Sequence, residues 1–528
     1  MQIDCTHQVE VCVIKQKQRR FKMKFNLKFG NIAKEVMNYE GEKAFVLTPQ
    51  LELYTAVATA ALNDQFYEGS TDKLNRLRQL IAKNDAAFVA KLAVYAREQM
   101  YLRSVPLVLA VELAKQQSGN DVVGKLTNRV VQRADEITEL LAYYVLANER
   151  KDVKKLNKLS KQLQKGLAAA FNKFDEYQFA KYNRDAAVKL KDALFLVHPK
   201  AKDKAQQILF DKIVKDELQV PYTWEVELSA LGQQKYDSAE LKQAAVKVKW
   251  EELIASNKVG YMAIMRNLRN ILEAEVSKAA LNKVCEYIAN EKAVANSKQL
   301  PFRFLAAYRE LKELKNGRVS KVLDALEQAV LYSAANIAGY GEDTKVVIAA
   351  DVSGSMQKPI SAKSKVLLYD IGLMLAMLLQ NRCENAITGM FGDTWKVINV
   401  PKKNILANVQ EFYRREGEVG YSTNGYLVVK DLLKRNKVVD KVMLFTDCQL
   451  WNSNNNTENI AALWKEYKKI APAAKLYLFD LAGYGNTPLN VQRDDVYLIA
   501  GWSDKIFNVL NAIEKGNTAI EMIDAIAL

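Results

Sequence analysis

The stretch from Lys345 to Met356, KVVIAADVSGSM, decides how the C-terminal part of the chain folds. Its first half, Val346 to Ala350, is an unbroken apolar run that predicts a strand buried on both faces. Asp351, Ser353 and Ser355 follow where this strand ends. Ligands bind at the carboxyl ends of strands in an open parallel sheet, and clustered oxygens suit a hard divalent cation. The alternative is a helix cap, in which a serine accepts hydrogen bonds from the next helix.

Two later segments bring further oxygen ligands to the same predicted edge. Lys441 to Asp447, KVMLFTD, is a second apolar strand ending in an acid, and the loop GYSTNG precedes another predicted helix. The combined set of candidate metal ligands is Asp351, Ser353, Ser355, Thr423 and Asp447. Ser422 remains an alternative to Thr423. This set resembles the metal-ion-dependent adhesion site of a von Willebrand factor A domain. The resemblance implies Mg²⁺ or another divalent cation, with one coordination position open to a partner's carboxylate or phosphate.

The remainder of residues 344–528 alternates between strands and helices, which predicts a doubly wound, Rossmann-like α/β domain. Strands are predicted at 346–350, 386–391, 396–400, 442–446, 476–481 and 496–500, and helices at about 361–380, 404–413, 424–436, 457–470 and 502–514. Asp393, in the sequence FGDT, could support the metal ion from outside its ligand shell or could simply form a turn. Cys448 and Gln449 follow Asp447, so this strand brings no further acid.

Residues 23–343 read as consecutive helices without strand signals. Thr48 and Pro49 predict the start of one helix, and apolar periodicity predicts others near 74–81, 88–100, 105–113, 122–131 and 137–146. Short polar linkers between such helices indicate antiparallel pairs stacked as a HEAT-like solenoid with a concave surface. Residues 1–22 are interpreted as a mobile or artefactual extension, because Met23 is a more natural start.

Composition excludes several functional classes. The chain has 528 residues, five cysteines without metal-ligand spacing, and only two histidines. The odd number of cysteines favours a reducing compartment over a disulfide-bonded protein. We expect a cytoplasmic protein without a membrane span. There is no phosphate-binding loop and no nucleophile elbow. Two candidate carboxylates, Asp351 and Asp447, are too few for a two-metal nuclease, so no enzymatic activity is expected.

Positive charge is concentrated in one region. The net charge is +15, and residues 151–215 hold fifteen lysines and one arginine against seven acids. Aromatic residues lie among these cations, namely Phe171, Phe174, Tyr177, Phe179 and Tyr182. RNA-binding surfaces combine cations with rings that stack on bases. The alternative is an ordinary solvated helical face, with most of these rings in the core.

Three helical motifs carry a family resemblance. FVAKLAVYARE at 88–98, YMAIMRNLRN at 261–270 and LPFRFLAAY at 300–308, followed by the Asp351 motif, resemble the TROVE module of the Ro autoantigen family. The resemblance implies a monomeric ring of HEAT-like repeats closed by the A domain. It also implies binding of Y RNA on a basic outer face, and of single-stranded 3′ ends of misfolded small RNAs in a central hole, with no binding of DNA. Bacterial relatives imply a link through Y RNA to polynucleotide phosphorylase.

Carried onto this chain, the resemblance gives two sets of RNA-binding residues. The outer set is Lys181, Arg184, Lys189, Lys191, His198 and Lys200. The inner set is Arg266, Asn267, Arg269 and Asn270, for which hydrogen bonding between helices is an equal alternative. We therefore expect a non-catalytic protein of small-RNA quality control. The alternative function is a helical scaffold whose A-domain metal site binds an acidic protein partner.

Overall fold

The computed structural model describes residues 34–60, 69–117, 120–148, 159–183, 185–335, 337–361, 364–451 and 458–528. The predicted extension 1–22 and the candidate Arg184 lie outside these residues. No helix in the described ranges is long and apolar enough to cross a membrane.

Residues 49–333 form an array of α-helices. The helices are α1 Pro49–Ala58, α2 Ser70–Lys83, α3 Ala86–Glu98, α4 Ser104–Gln116, α5 Val122–Val130, α6 Asp135–Ala147, α7 Lys161–Phe171, α8 Glu176–Tyr182, α9 Leu190–Val197, α10 Lys204–Lys215, α11 Trp224–Gly232, α12 Ala239–Ala255, α13 Tyr261–Arg266, α14 Leu268–Glu273, α15 Lys278–Ile288, α16 Glu291–Ser297, α17 Phe302–Lys312 and α18 Val319–Ser333. Thr48 caps α1 as the sequence predicts, since its side chain accepts a hydrogen bond from the Leu51 N–H.

The C-terminal part is a six-stranded α/β domain. Its elements are β3 Tyr340–Asp351, α19 Leu368–Asn381, β4 Cys383–Phe391, β5 Trp395–Val397, α20 Ile405–Arg415, α21 Tyr426–Lys434, β6 Lys441–Thr446, α22 Ile460–Ile470, β7 Lys475–Asp480, β8 Asn486–Thr487, β9 Val496–Ala500, α23 Ile506–Glu514 and α24 Ala519–Asp524. The sheet order is β5-β4-β3-β6-β7-β9, and β5 is its only antiparallel strand.

Strand β3 contributes side chains to two hydrophobic cores, because its side chains alternate between the two faces of the sheet. Val346, Ile348 and Ala350 join the core that continues into the helical array. Val347 and Ala349 join a second core under α21 and α22. This accounts for the unbroken apolar run in the sequence, since neither face of the strand meets water.

The expectation that residues 23–343 contain no strand is wrong. In the described residues, Glu35–Met37 forms β1 and Lys43–Val46 forms β2. They pair with each other, and β2 also pairs with β8 of the A domain in a separate three-stranded sheet. The two strands have only three and four residues, so their alternation is too short to stand out, and one stabilising partner lies about 440 residues further along the chain.

Both ends of the helical array contact the C-terminal α/β domain, which closes the ring that the family resemblance implies. At the N-terminal end, the Tyr54 hydroxyl of α1 donates to the Ala500 carbonyl at the end of β9 over 3.1 Å. At the C-terminal end, the ring of Phe302 in α17 lies edge-on against Trp502, with ring centroids 6.4 Å apart. The chain is thus a ring of helical repeats closed by an α/β domain.

Candidate metal centre and nucleic-acid interface

Asp351, the last residue of β3, is held in place by the loop that follows it and by the end of the neighbouring strand β6. Its Oδ1 accepts from the Ser353 N–H over 2.9 Å, and its Oδ2 accepts from the Thr446 hydroxyl over 2.6 Å. The hydroxyl oxygens of Ser353 and Ser355 lie 3.3 Å apart. All three predicted ligands in this loop are buried. Sequence reasoning missed Thr446, the one hydroxyl residue in the apolar strand β6, as the group that orients Asp351.

The loop that carries Thr423 contacts both other loops of the site. The Gly354 N–H donates to the Tyr421 carbonyl, and the Trp451 N–H donates to the Thr423 carbonyl. Gly420 has φ +73°, and a side chain there would collide with Asp393. Glycine is therefore required for this close approach.

The structure separates the roles of Ser422 and Thr423. The Ser422 N–H donates to Asp393 Oδ1 over 2.8 Å. Thr423 is buried, and its hydroxyl oxygen has no hydrogen-bond partner in the structure. Asp393 is exposed and holds the loop through Ser422. This geometry favours Thr423 as the ligand and gives Asp393 a role in forming the loop.

Asp447 follows the end of β6 and is fully buried. Its Oδ1 accepts from the Gln449 N–H over 3.0 Å, and its Oδ2 has no hydrogen-bond partner. Burial, followed by the negative charge of Asp351, raises the pKa of Asp447. Burial likewise raises the pKa of Asp351. Two acids that repel each other in a buried site, with unpartnered oxygens beside them, form a site suited to a cation.

The oxygens at this site fit a hard divalent cation. Its ligands would be the two carboxylates and the hydroxyls of Ser353, Ser355 and Thr423, and Mg²⁺ accepts such mixed oxygen ligands together with water. In the described part of the chain, no three or more His, Cys, Asp or Glu side chains group as a metal site. The candidate centre is therefore built on two carboxylates, and hydroxyls complete it.

Asp480, which ends β7, is a further buried acid at this sheet edge that sequence reasoning did not single out. It accepts from the N–H groups of Ala482 and Gly483. Burial raises its pKa to about 6, while the charges of Lys73 and Arg76 act in the opposite direction. Its position near the end of the predicted strand 476–481 could have indicated that it lies at this sheet edge. These two basic residues come from α2, so Asp480 faces the helical array.

The predicted outer residues that the structure describes lie on α8, at the start of α9, within α9 and in the loop that follows. His198 and Lys200 are exposed, and His198 ends α9 in a left-handed conformation with φ +50°. The loop is fixed to the end of α7 by Asn172, which donates to the Lys200 carbonyl and accepts from the Lys202 N–H. The surface position inferred for His198 from its lysine neighbours agrees with the structure.

Two of the predicted lysines are paired with acids. Lys189 contacts Asp185 at 2.9 Å, and Lys191 contacts Asp216 at 3.0 Å. Five further lysines of this region have no carboxylate within ion-pair distance in the described ranges. They are Lys161, Lys165, Lys181, Lys200 and Lys204. The region from α7 to α10 therefore keeps part of its positive charge unneutralised. We refer to these five lysines as the basic face.

The aromatic residues of this region divide into core and surface. Phe171, Phe174 and Phe179 are buried and pack on one another. Tyr177 is 44% exposed, and the Lys181 amino group lies 5.6 Å from its ring centroid and 5.7 Å from that of Tyr182. The Tyr182 ring is partly buried and lies under Arg133 at 4.5 Å, so Tyr177 is the accessible ring of the two. A cation beside an accessible ring is the combination that contacts both phosphates and bases.

The four inner candidates do not share one environment. Asn267 is buried at the junction of α13 and α14, where its amide donates to the Ala263 carbonyl and accepts from Asn270. Arg269 forms ion pairs with Glu273 at 2.9 Å and Glu310 at 3.5 Å. Of these contacts, only Arg269 with Glu310 joins two helices, as the alternative predicts; the others are between residues three or four positions apart.

Arg266 differs from these three. It is exposed, and its charge lowers the pKa of Arg303, on which partial burial has the larger effect. In the described part of the chain, neither guanidinium has a carboxylate within ion-pair distance. Arg303 was missed as a candidate, although it stands in the LPFRFLAAY motif. Two positive charges that influence each other and have no acid partner would favour an anion between them.

The fold and these sites define a class of protein: a closed ring of helical repeats with a von Willebrand factor A domain and a basic helical face. Residues 29–220 and 215–358 match the TROVE domain, and residues 345–513 match the Ro60 vWA domain. The chain belongs to the Ro family of TROVE-domain proteins, which are RNA-binding proteins.

A solved structure supports the same fold. The crystal structure of the Ro (RSR) protein of Deinococcus radiodurans superposes with a TM-score of 0.58, covering 89% of this chain and all of that chain at 17% identity. At this identity the likeness supports the fold alone.

Curated relatives match part of the chain. Telomerase protein component 1 of Rattus norvegicus is 23% identical over 348 residues, which is 50% of this chain and 13% of the relative. The Mus musculus protein of the same name is 24% identical over 313 residues, 44% of this chain and 11% of the relative. The chain thus spans only a small part of these much longer proteins.

Proposed function

We propose that this protein binds structured small RNA of the Y RNA type on the basic face, and single-stranded 3′ ends of misfolded small RNAs inside the ring. The observation that carries the proposal is the group of lysines without acid partners in this region, of which Lys181 lies beside the exposed ring of Tyr177. Lys181 with Tyr177 and Tyr182 is its centre. Phosphate contacts supply most of the affinity for RNA, and rings stack on unpaired bases.

The acid-paired lysines do not oppose this proposal. The side chains of Lys189 and Lys191 remain 61% and 39% exposed, and their acid partners are more exposed still. Exposed ion pairs contribute only about 0–1 kcal/mol, so an incoming phosphate can replace the carboxylate at low cost. His198 lies in the same loop, two residues before Lys200, and adds a ring that can stack on a base.

Inside the ring, we infer that Arg266 and Arg303 hold the phosphates of a single strand. Like charges at short distance are unfavourable in the free protein, and an anion relieves that repulsion. Arg303 also lies over the Phe302 ring at 5.1 Å, a contact that favours one orientation of its guanidinium. Arg266 is retained from the sequence-based set, and Arg303 is added to it.

The A domain would bind Mg²⁺ or a similar cation through Asp351, Ser353, Ser355, Thr423 and Asp447. The support is chemical: buried oxygens of Thr423 and Asp447 that lack hydrogen-bond partners, and an acid pair whose pKa values are raised. We assign the centre a structural and binding role, without catalysis. A cytoplasmic role in small-RNA quality control, with polynucleotide phosphorylase recruited through Y RNA, completes the proposed function.

Sequencing the RNA that co-purifies with the protein from its own cells tests this proposal. We expect enrichment of small structured noncoding RNAs over messenger RNA and DNA. A matched purification of a variant with the lysines of the basic face changed to alanine should lose that RNA. Recovery of no RNA, together with a protein partner that is lost when Asp351 is changed to alanine, would favour the scaffold function instead.

A further inference from the structure

Helix α12 is the longest helix in the described ranges, and it is anchored near its C-terminal end. There the Trp250 ring stacks on Trp224 of α11, with ring centroids 6.3 Å apart. Glu251 accepts from the Ser277 N–H at the start of α15 over 2.7 Å. The buried side chains of the helix are Trp250, Leu253 and Ile254. The N-terminal half, which the structure describes in full, contributes none.

That N-terminal half is nevertheless apolar on the side that faces solvent. Leu241 is 54% exposed and Val248 is 63% exposed. Ala244 and Ala245 lie between them, at the spacing that places all four on one side of a helix. Trp250 follows Leu241 by about two and a half turns, so the two lie on opposite sides. We refer to Leu241, Ala244, Ala245 and Val248 as the apolar stripe.

The shape of the apolar stripe suits another helix. A helix that is apolar on two opposite sides is normally covered on both, and here the packed side is already covered by α11 and α15. The two alanines form a shallow dip between the larger side chains of Leu241 and Val248. Small side chains at a contact let two helices approach closely, so larger side chains of a partner helix can fill this dip.

Two lysines flank the apolar stripe, one on each side of it. They are Lys242 and Lys247, and in the described part of the helical array no carboxylate lies within ion-pair distance of either. Lys249 differs, because Glu227 and Glu252 pair with it. The acid of this half is Glu240 in the first turn, and a hydrogen bond with the Ser238 side chain lowers its pKa. The free positive charges favour acidic residues on the partner.

The same two lysines disfavour a second copy of this chain as the partner. Two copies of α12 that pair antiparallel about the middle of the apolar stripe would bring Lys242 of one copy beside Lys247 of the other. Like charges placed together at an interface are unfavourable. A helix with acids at these positions removes the repulsion and neutralises both lysines.

We propose that the apolar stripe of α12 docks an amphipathic helix of a protein partner, whose apolar face is flanked by aspartate or glutamate. This surface goes beyond the proposed RNA-binding function, because it uses neither the basic face nor the inner arginines. The partner's large apolar side chains fill the dip at Ala244 and Ala245, and its acids pair with Lys242 and Lys247.

Fluorescence anisotropy with two labelled synthetic peptides tests the proposal on the full chain. Both peptides are helical with a leucine face, which is flanked by glutamates in one and by lysines in the other. The test variant is Val248→Glu, and the matched control is Val438→Glu, which changes an exposed valine before β6. Because both valines are exposed, both variants should unfold at the wild-type temperature. A second test variant changes Lys242 and Lys247 to glutamine.

We expect the glutamate-flanked peptide to bind the wild type and Val438→Glu alike, and to bind Val248→Glu and the double lysine variant on the order of tenfold more weakly. The lysine-flanked peptide should not bind. No binding to the wild type, equal binding by Val248→Glu, or equal binding of the two peptides would each overturn the proposal. So would self-association of the wild type, measured by light scattering, that Val248→Glu abolishes. RNA binding by all variants should stay unchanged.

Discussion

Arg309 binds Asp370 through two hydrogen bonds, Nη1 to Oδ2 and Nη2 to Oδ1, each 2.6 Å long. Arg309 lies on α17, near the end of the helical array, and Asp370 lies in the first turn of α19 in the A domain. Asp370 is fully buried and also accepts from the Leu367 N–H at the start of its helix. This pair is therefore a buried electrostatic link between the two parts of the ring.

Changing Arg309 to methionine should destabilise the fold strongly. It leaves the Asp370 carboxylate buried without its partner, which costs about 3–5 kcal/mol when one member of a buried pair is removed. Urea unfolding measures the loss. Arg414→Met removes an exposed ion pair with Glu411 and serves as the control, which should unfold like the wild type. Equal unfolding midpoints for the two variants would refute the role assigned to Arg309.

Thr423, rather than Ser422, should control metal-dependent stability. A bound cation stabilises the folded chain by about 2.7 kcal/mol at a concentration one hundred times its dissociation constant. Thermal unfolding with and without Mg²⁺ should reveal this gain in the wild type and in Ser422→Ala, and a much smaller gain in Thr423→Val. The reverse order of the two variants would assign the middle ligand to Ser422.

Without metal, stability should fall as pH rises above the ordinary aspartate pKa of about 4. Burial and mutual repulsion raise the pKa values of Asp351 and Asp447, so the folded chain binds more protons than the unfolded chain in this range. The unfolding free energy then decreases with pH. Asp447→Asn should flatten this slope in the presence of a chelator, as measured by urea unfolding at several pH values. A slope equal to that of the wild type would contradict the coupling.

Arg266 and Arg303, which have no acid partner in the described residues, should contribute to the binding of single-stranded RNA. Arg266→Ala and Arg303→Ala each remove a proposed phosphate contact, so binding of a single-stranded 3′ tail should weaken while binding of a stem-loop stays unchanged. Filter binding of both RNAs gives the comparison. Arg269→Ala is the control, because Glu273 and Glu310 already pair with this residue. A loss of tail binding as large in the control as in Arg266→Ala would remove the distinction.

The sequence predicted the A domain well, because each of its strands is marked by a short continuous run of apolar residues. Apolar runs such as Val346 to Ala350 and Val442 to Thr446 lie in buried strands, and acids at their ends meet at one sheet edge. The short strands β1 and β2 were not predicted, because three or four residues are too few to show the alternation of apolar and polar residues that indicates a strand. Their stability comes from a partner that is distant in sequence.

Charge pairing was only partly readable from the sequence. Lys189 and Asp185 are only four residues apart in the chain, in the segment before α9, so their ion pair is a local contact. Lys191 and Asp216 are brought together only by the packing of neighbouring helices. The same holds for Arg266 and Arg303, which come from different helices.

The central claim is that the basic face of the helical array binds RNA through its phosphates. The most direct test compares the salt dependence of binding of a stem-loop RNA by two variants of equal charge. One changes Lys165, Lys181, Lys200 and Lys204 to alanine; the other changes four exposed A-domain lysines, Lys434, Lys437, Lys465 and Lys469.

Filter binding over a range of salt concentrations gives the slope of log affinity against log salt for each variant. The account predicts that the first variant binds at least about tenfold more weakly, with a slope reduced by roughly 3, because each lost phosphate contact removes somewhat less than one unit. The A-domain variant should keep the slope of the wild type. Equal slopes in the two variants, or binding that does not depend on salt, would contradict it.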